Sequence, residues 1–358
     1  MQNEAITSYD VIIVGAGIAG ISSAIHLKKL NKNLKVLVIE KAQFPRAKLC
    51  AGYLTKKSTI LLDELGLDTK TIKYELVKGL TVYYKHKKRF SLSNHGLYCQ
   101  ELVNRSVLDN ELFNVLKKED VTILENSTID ALDENKNQII INKNIFNYNN
   151  LIFADGELGY SSKFNKKQKR YFAMQENIMI PTKAQINMYF NIAKKGYAWY
   201  SSSGNYINIG FCDIYNPKTD YTKLFNDFKS NLGIEEQGNL KGFFVPYGIK
   251  KNKIINNNIY LTGDAAGLVD PLTLAGISYA ILSGKFVAKS IVSNSKKAYF
   301  EYLNKTNFKF SILKIMHKLL YNKFFLFLII RVAGRLCGNL FVYILDKFIL
   351  NKKDSFHE

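Results

Sequence analysis

Cysteine is scarce in this chain, and what there is lies scattered. Four occur in 358 residues, at Cys50, Cys99, Cys212 and Cys337, with no CxxC pair and no Cys/His cluster. That spacing argues against a disulfide framework and a structural zinc site, and it fits a reducing compartment. Histidine is equally sparse. The five at positions 26, 86, 95, 317 and 357 stand in no metal-ligand or triad spacing, and His26 reads as a packing or surface residue rather than a base. The opening MQNEAITSYD lacks an apolar core, so no signal peptide is expected and the chain is expected in the cytoplasm. The run FFLFLII (324–330) is too short to cross a bilayer and ends at Arg331. Acid is deficient as well: 30 Asp and Glu against 50 Lys and Arg leave a formal charge of +20. No zinc-finger spacing or aromatic RNA-binding stretch accompanies that excess, so nucleic acid is not an expected partner. Charge by itself speaks to association and solubility.

What is present points elsewhere. With 47% hydrophobic and 22% charged residues the chain can bury a sizeable core, and its length predicts one or two domains. The stretch YDVIIVGAGIAGISSAIHLKKLNKNLKVLVIEK is the most informative. A β-branched run at 9–14 predicts a buried parallel strand. Gly15, Gly17 and Gly20 follow at GxGxxG spacing, then a helical pattern, then a second apolar strand ending in Glu40. Gly15 permits a tight turn, Gly17 lets a pyrophosphate approach the backbone, and Gly20 lets helix and strand pack closely. Glu40 can accept hydrogen bonds from a ribose and would repel a 2′-phosphate. Strand, helix, second strand and acid in this order predict a dinucleotide site.

Three later segments move the choice from NAD to FAD. Arg105 opens an amphipathic helix in ELVNRSVLDNELFNVLKK, and LIFADGELGYSSKF carries an apolar strand into Asp155-Gly156. In NNIYLTGDAAGLVDPLTLAGISYAILSGKFVAKSI a strand reaches Asp264, which could meet a ribitol hydroxyl. The helix starting near Gly276 and Ile277 can offer backbone N–H groups to a flavin carbonyl. Each of these, taken singly, is also an ordinary strand-to-helix turn.

Together they resemble the FAD-dependent geranylgeranyl reductase family, within the p-hydroxybenzoate-hydroxylase-like flavoproteins, and most of all its CbrA-type bacterial branch. The likeness rests on GAGIAG (15–20), Glu40, PRAKLCAG (45–52), NRSVLD, ADG (154–156), GYAWYSSSGNYINIG (196–210) and GDAAGLVDP with AGI (263–277). The fold it implies is α/β: a Rossmann-like FAD-binding domain, an inserted antiparallel β-sheet substrate domain, and C-terminal helices. The expected division is 1–52, 101–164 and 251–300 for FAD, 53–100 and 165–250 for the substrate cap, and 301–358 for the helical segment. The resemblance implies FAD bound through Gly15, Gly17, Ala19, Gly20, Glu40, Lys48, Ala51, Gly52, Arg105, Ile129, Asp264, Gly276 and Ile277, with Arg46 and Lys48 near its phosphates. It places Cys50 at the reactive face of the flavin, to orient substrate or deliver a proton; the other reading is a small residue filling a tight turn. Tyr197, Trp199 and Tyr200 cover both faces of a strand, so at least one should meet the substrate; core packing is the alternative. The chain departs from the family at Tyr200-Ser201, where Phe-Pro is common, and at Leu274-Ala275-Gly276, where Gly-Glu-Gly is common.

The activity implied is reduction of carbon–carbon double bonds in a polyprenyl lipid by hydride from reduced flavin. A flavin monooxygenase on the same fold, and a membrane-associated FAD-binding protein without turnover, are the alternatives. Only one GxGxxG occurs, so NAD(P)H or another electron carrier would bind transiently. From 305 to 335 seven basic residues and no acid accompany Phe308, Ile312, Ile315 and Leu319 at helical spacing, with Ser311, Lys314, His317 and Lys318 on the other side. That segment fits peripheral contact with an anionic membrane surface, or a helix packed on the flavin domain with its lysines solvated.

Overall fold

A computed structural model describes residues 7–72, 74–77, 79–93, 100–165, 168–250, 254–255, 258–322 and 325. Among them the largest sheet contains β1 (Thr7–Val14), β2 (Val36–Ile39), β8 (Thr122–Leu124), β9 (Ile129–Asp133), β10 (Gln138–Ile141), β11 (Asn144–Phe153), β17 (Ile254–Ile255) and β18 (Ile259–Leu261). A second contains β5 (Gly79–Tyr84), β6 (Lys87–Ser93), β12 (Arg170–Ile178), β13 (Thr182–Phe190), β14 (Tyr197–Gly204), β15 (Ile207–Ile214) and β16 (Lys241–Pro246). A small third sheet joins β3 (Tyr53–Leu54), β4 (Tyr74–Val77) and β7 (Gln100–Val103). The helices are α1 (Ile18–Leu30), α2 (Lys56–Glu64), α3 (Arg105–Leu116), α4 (Tyr221–Asn231), α5 (Ile277–Val292) and α6 (Lys297–Leu320).

The first sheet runs β17-β18-β11-β1-β2-β8, with β1 parallel to both β11 and β2. Val11 to Val14 and Val36 to Ile39 are all buried, as unbroken apolar runs must be when helices cover both faces. Helix α1 packs on α5, and Ser22 Oγ donates to the Ile281 carbonyl at 2.7 Å. Lys28 and Lys29 in the last turn of α1 oppose the helix dipole. The expected α/β fold is the one found.

The second sheet is antiparallel in every pair but one. β13 lies parallel to β5, because β5 and β6 enter from a stretch about a hundred residues earlier and no tight hairpin dictates their direction. Alternation along β14 gives its faces different neighbours. Ala198 and Tyr200 join the α4 side, with Tyr221, Phe225 and Phe228. Tyr197 and Trp199 face the other way, with Tyr171, Cys212, Ala51 and Leu274.

Helix α6 has two apolar faces, and the regular row of Phe308, Ile312, Ile315 and Leu319 marks only one of them. Tyr299, Tyr302, Leu303, Phe310, Leu313 and His317 are buried, while Phe308 is 71% exposed and Ile312, Ile315 and Leu319 are 45%, 59% and 45% exposed. The helix therefore docks through the side that carries His317. That ring sits 3.1 Å by Nε2 from the Lys195 carbonyl, and Tyr171 and Tyr247 pack edge-on against it. Burial lowers the His317 pKa to about 4, so the ring is neutral at physiological pH and can donate one N–H to that carbonyl. Apart from Phe325, residues 323–335 of the basic segment lie outside the described residues, as do Cys99 and Cys337; Cys50 and Cys212 are free thiols.

Candidate active site

The chain turns sharply after β1 at Gly15, whose φ of +100° suits glycine. A Cβ on Gly20, in the first turn of α1, would collide with the Gly15 carbonyl oxygen. Gly17 is different in kind. Its backbone is extended (φ −74°, ψ 176°), and the nearest atom to an added Cβ would be Arg46 Nη2 at 3.8 Å. The space above Gly17 is thus open, at a helix N-terminus with no side-chain cap, and bounded by a guanidinium.

Arg46 is placed by its neighbours. It lies over the Phe44 ring at 4.7 Å, and Phe44 stacks on Phe113 with centroids 4.0 Å apart. Its Nη2 is 3.5 Å from Glu40 and its Nη1 is 3.7 Å from Asp109, while its buried Nε has no hydrogen-bond partner. An orphaned cationic donor beside an open glycine at a helix start fits a diphosphate. Glu40, at the end of β2, accepts from Ala16 N at 2.9 Å and Ala42 N at 3.1 Å, and each oxygen keeps a lone pair for a ribose hydroxyl. Ser127 N donates to the Glu40 carbonyl at 2.9 Å, which draws the approach to Ile129 alongside. Ala19 is buried against Gly263, in the turn that carries Asp264.

Asp264 is partly exposed, and its carboxylate takes no partner among the described residues. Its Oδ1 points toward Gly276, the cap of α5, which again lacks a side-chain cap and leaves first-turn N–H groups available near Ile277. Just before it Leu274 adopts φ +60°, the left-handed conformation a glycine would take without strain. This is the position where Gly-Glu-Gly is common in the family that the sequence resembles, and the Leu274 side chain packs with the Trp199 cluster.

The loop at 46–52 runs between these parts and the second sheet. Gly52 N donates to Cys50 Sγ at 3.5 Å, and Gln175 Nε2 donates to the Cys50 carbonyl at 3.3 Å. Arg105, 9% exposed, is held by Asp109 through paired bonds of 2.9 and 3.2 Å. Burial opposes its charge, but Asp109 and then Cys50 outweigh that and hold its pKa above the ordinary value. The Trp199 indole donates to Asn208 Oδ1 at 2.5 Å. Tyr197 and Tyr171 donate to the carbonyls of Thr273 (2.8 Å) and Pro271 (2.6 Å), tying the sheet to the loop that leads into α5. Cys50, Arg105, Trp199 and the start of α5 therefore converge.

Residues 9–179 match the pyridine nucleotide-disulphide oxidoreductase family. The chain is 29% identical over 332 residues to the digeranylgeranylglycerophospholipid reductase of Methanococcus vannielii, covering 84% of this chain and 82% of that one. It superposes on a geranylgeranyl bacteriochlorophyll reductase-like protein of Thermoplasma acidophilum with a TM-score of 0.81, at 21% identity over 98% of both chains. The chain is similar to FAD-dependent oxidoreductases of the geranylgeranyl reductase type over most of its length. PqsL of Pseudomonas aeruginosa, a probable FAD-dependent monooxygenase, shares the fold at a TM-score of 0.69 and 16% identity, covering 88% of this chain and 96% of PqsL.

Gly15, Gly17, Gly20 and Glu40 gather with Arg46 at one end, and Cys50, Ala51, Gly52 and Arg105 gather with Trp199 at the other. Lys48 is exposed, and Tyr200 lies on the α4 side of its sheet, away from Trp199. Sequence reasoning missed Asp109, Gln175 and Tyr53. Asp109 had a signal, the i, i+4 spacing from Arg105 in NRSVLD. Gln175 and Tyr53 had none, since they gain their neighbours only when distant strands come together.

Proposed function

We propose that this chain is a flavoprotein that reduces carbon–carbon double bonds of a polyprenyl chain of the geranylgeranyl type. The likeness, over most of both chains, to a reductase named for a digeranylgeranyl lipid is the observation that carries the reading. When bound and reduced, FAD supplies the hydride. Gly17 and Arg46 would hold its diphosphate beside Gly15, Ala19 and Gly20, Glu40 its ribose, and Ile129 would flank the adenine. Asp264 would take the ribitol, the amides at Gly276 and Ile277 a ring carbonyl, and Lys48, Ala51, Gly52 and Arg105 would line its path. Tyr197 and Trp199 form the aromatic wall that excludes water from the substrate, with Tyr200 behind it. Cys50 faces the reacting carbons, where it orients them or delivers the proton. The reductant is NAD(P)H or another carrier that binds transiently. The division into a cofactor unit (1–52, 101–164, 251–300), a cap (53–100, 165–250) and a helical segment (301–358) belongs to the same proposal.

Anaerobic turnover tests it. Adding a geranylgeranyl lipid to the reduced holoenzyme should reoxidise the flavin and yield saturated product. Turnover only with oxygen would establish the monooxygenase alternative, with which the PqsL-like fold is equally compatible. Reoxidation under neither condition would leave an FAD-binding protein without turnover.

A lipid substrate also accounts for the exposed row on α6. We propose that Phe308, Ile312, Ile315 and Leu319 rest on an anionic bilayer surface, in a stretch where no acid occurs from 302 to 345. The chain should float with phosphatidylglycerol vesicles and not with phosphatidylcholine alone, and a Phe308→Ser/Ile315→Ser pair should lose most of that binding. Equal flotation of the pair would remove α6 from the contact.

A further inference from the structure

Two buried polar atoms near Cys50 have no hydrogen-bond partner: the Tyr53 hydroxyl and Gln175 Oε1. Gln175 is 2% exposed, and the bond from its Nε2 to the Cys50 carbonyl fixes which way the amide faces. A flipped amide would set two oxygens against each other. Tyr53 follows Cys50 by three residues and has Ser201, Cys50 and Tyr206 around its hydroxyl; the Ser201 Oγ gives its own proton to the Asn208 carbonyl at 3.3 Å and interacts with the Tyr53 hydroxyl without completing a well-formed hydrogen bond. Strand register pairs Gly210 with both Gln175 and Trp199, and pairs Ser201 with Asn208. Gln175 and Ser201 therefore flank the Trp199 indole on one face, and both orphaned side chains neighbour Cys50, Gln175 through its bond to the Cys50 carbonyl and Tyr53 through its hydroxyl.

Leaving a buried polar atom unpaired costs about 1–3 kcal/mol. An apolar residue at either position would avoid that cost, so the pair reads as a site awaiting a ligand. Its chemistry is narrow. The amide oxygen can only accept, and the phenol has a proton to give. Arg105, the cation beside Cys50, is already engaged by both oxygens of Asp109. An ionised phosphate or carboxylate has no proton to give and would set an acceptor against Gln175 Oε1, leaving that atom unsatisfied. An alcohol both donates and accepts, and so completes both atoms.

We propose that Tyr53 and Gln175 form a subsite that receives the free hydroxyl of an isoprenoid alcohol, so that the double bond presented at Cys50 lies near the hydroxyl-bearing end of the chain. This deepens the polyprenyl reading above and rests on it. Gln175 accepts the alcohol proton, Tyr53 donates to the alcohol oxygen, and no bond is made or broken in the recognition.

The test titrates the oxidised holoenzyme, following the flavin absorbance, with geranylgeraniol, with the matched hydrocarbon bearing CH3 in place of CH2OH, and with geranylgeranyl phosphate. The alcohol should bind roughly tenfold or more tighter than the hydrocarbon, and tighter than the phosphate. Tyr53→Phe should remove about tenfold of the alcohol's affinity and leave the hydrocarbon's unchanged, with the flavin spectrum, FAD affinity and melting temperature as in the parent. If the three ligands bind alike, the subsite is wrong and the polyprenyl reading stands. If none binds, both fall together. If Tyr53→Phe weakens FAD or shifts its spectrum, the hydroxyl belongs to the cofactor and the proposal is overturned.

Discussion

Replacing Asp109 with alanine is expected to cost about 3–5 kcal/mol of stability, the usual penalty for removing one member of a buried ion pair. Asp109 is 2% exposed and Arg105 is 9% exposed, so water cannot take over the lost partner. A guanidinium cannot escape by deprotonating, because its pKa lies far above the physiological range and is held higher still here. Arg46 also loses an ion-pair partner at 3.7 Å, so the deletion reaches the cofactor end of the site as well as the Cys50 end. The expected signature in urea is a lowered midpoint with an unchanged m-value. Removing the stranded charge in an Asp109→Ala/Arg105→Met chain should recover most of the loss, because an uncharged pair of similar volume is often tolerated. A single variant that loses less than about 1 kcal/mol would mean that the pair is solvated and contributes as a surface bridge does.

Parts of this architecture were legible in the sequence because they carry their signals locally. The runs at Val11–Val14 and Val36–Ile39 have no polar alternation, and only a strand covered on both faces tolerates that. Gly20 is a glycine because of a backbone contact five residues away in the chain, and Gly15 because its own φ is positive. The faces of β14 were not legible. Alternation shows that Tyr197 and Trp199 oppose Tyr200, but which side meets Ala51 and Leu274 depends on α4, where Tyr221, Phe225 and Phe228 claim the other. Helix α6 shows the same gap. Its regular row of Phe308, Ile312, Ile315 and Leu319 looks like a docking face, yet Tyr299, Tyr302 and Phe310 bury more ring surface and dock the helix instead. His317 lies on that docked side although its residue type reads as polar, because burial keeps the ring neutral. Gln175 and Tyr53 were invisible for a simpler reason: an unpaired atom is a property of the assembled neighbourhood.

The three fingerprint glycines should respond differently to one added methyl group, and that difference separates chain from cofactor. At Gly15 and Gly20 the methyl meets protein backbone, the Ala154 carbonyl in one case and the Gly15 carbonyl in the other, so alanine there should disrupt the fold itself. At Gly17 it meets only the Arg46 guanidinium at an ordinary contact distance, and the local backbone is one any residue adopts. A Gly17→Ala apo chain should therefore fold with stability within about 1 kcal/mol of the parent, the small loss coming from a poorer N-cap. Its FAD affinity should fall by roughly a thousandfold, about 4 kcal/mol. The methyl would occupy the space a diphosphate oxygen needs, adding overpacking of about 1–3 kcal/mol to the loss of a charge-assisted hydrogen bond worth about 1.5–3 kcal/mol. Equilibrium FAD titration and melting of the apo protein measure the two quantities separately. Retained FAD affinity in Gly17→Ala would place the diphosphate somewhere other than between Gly17 and Arg46, and would leave the orphaned Arg46 Nε without its ligand.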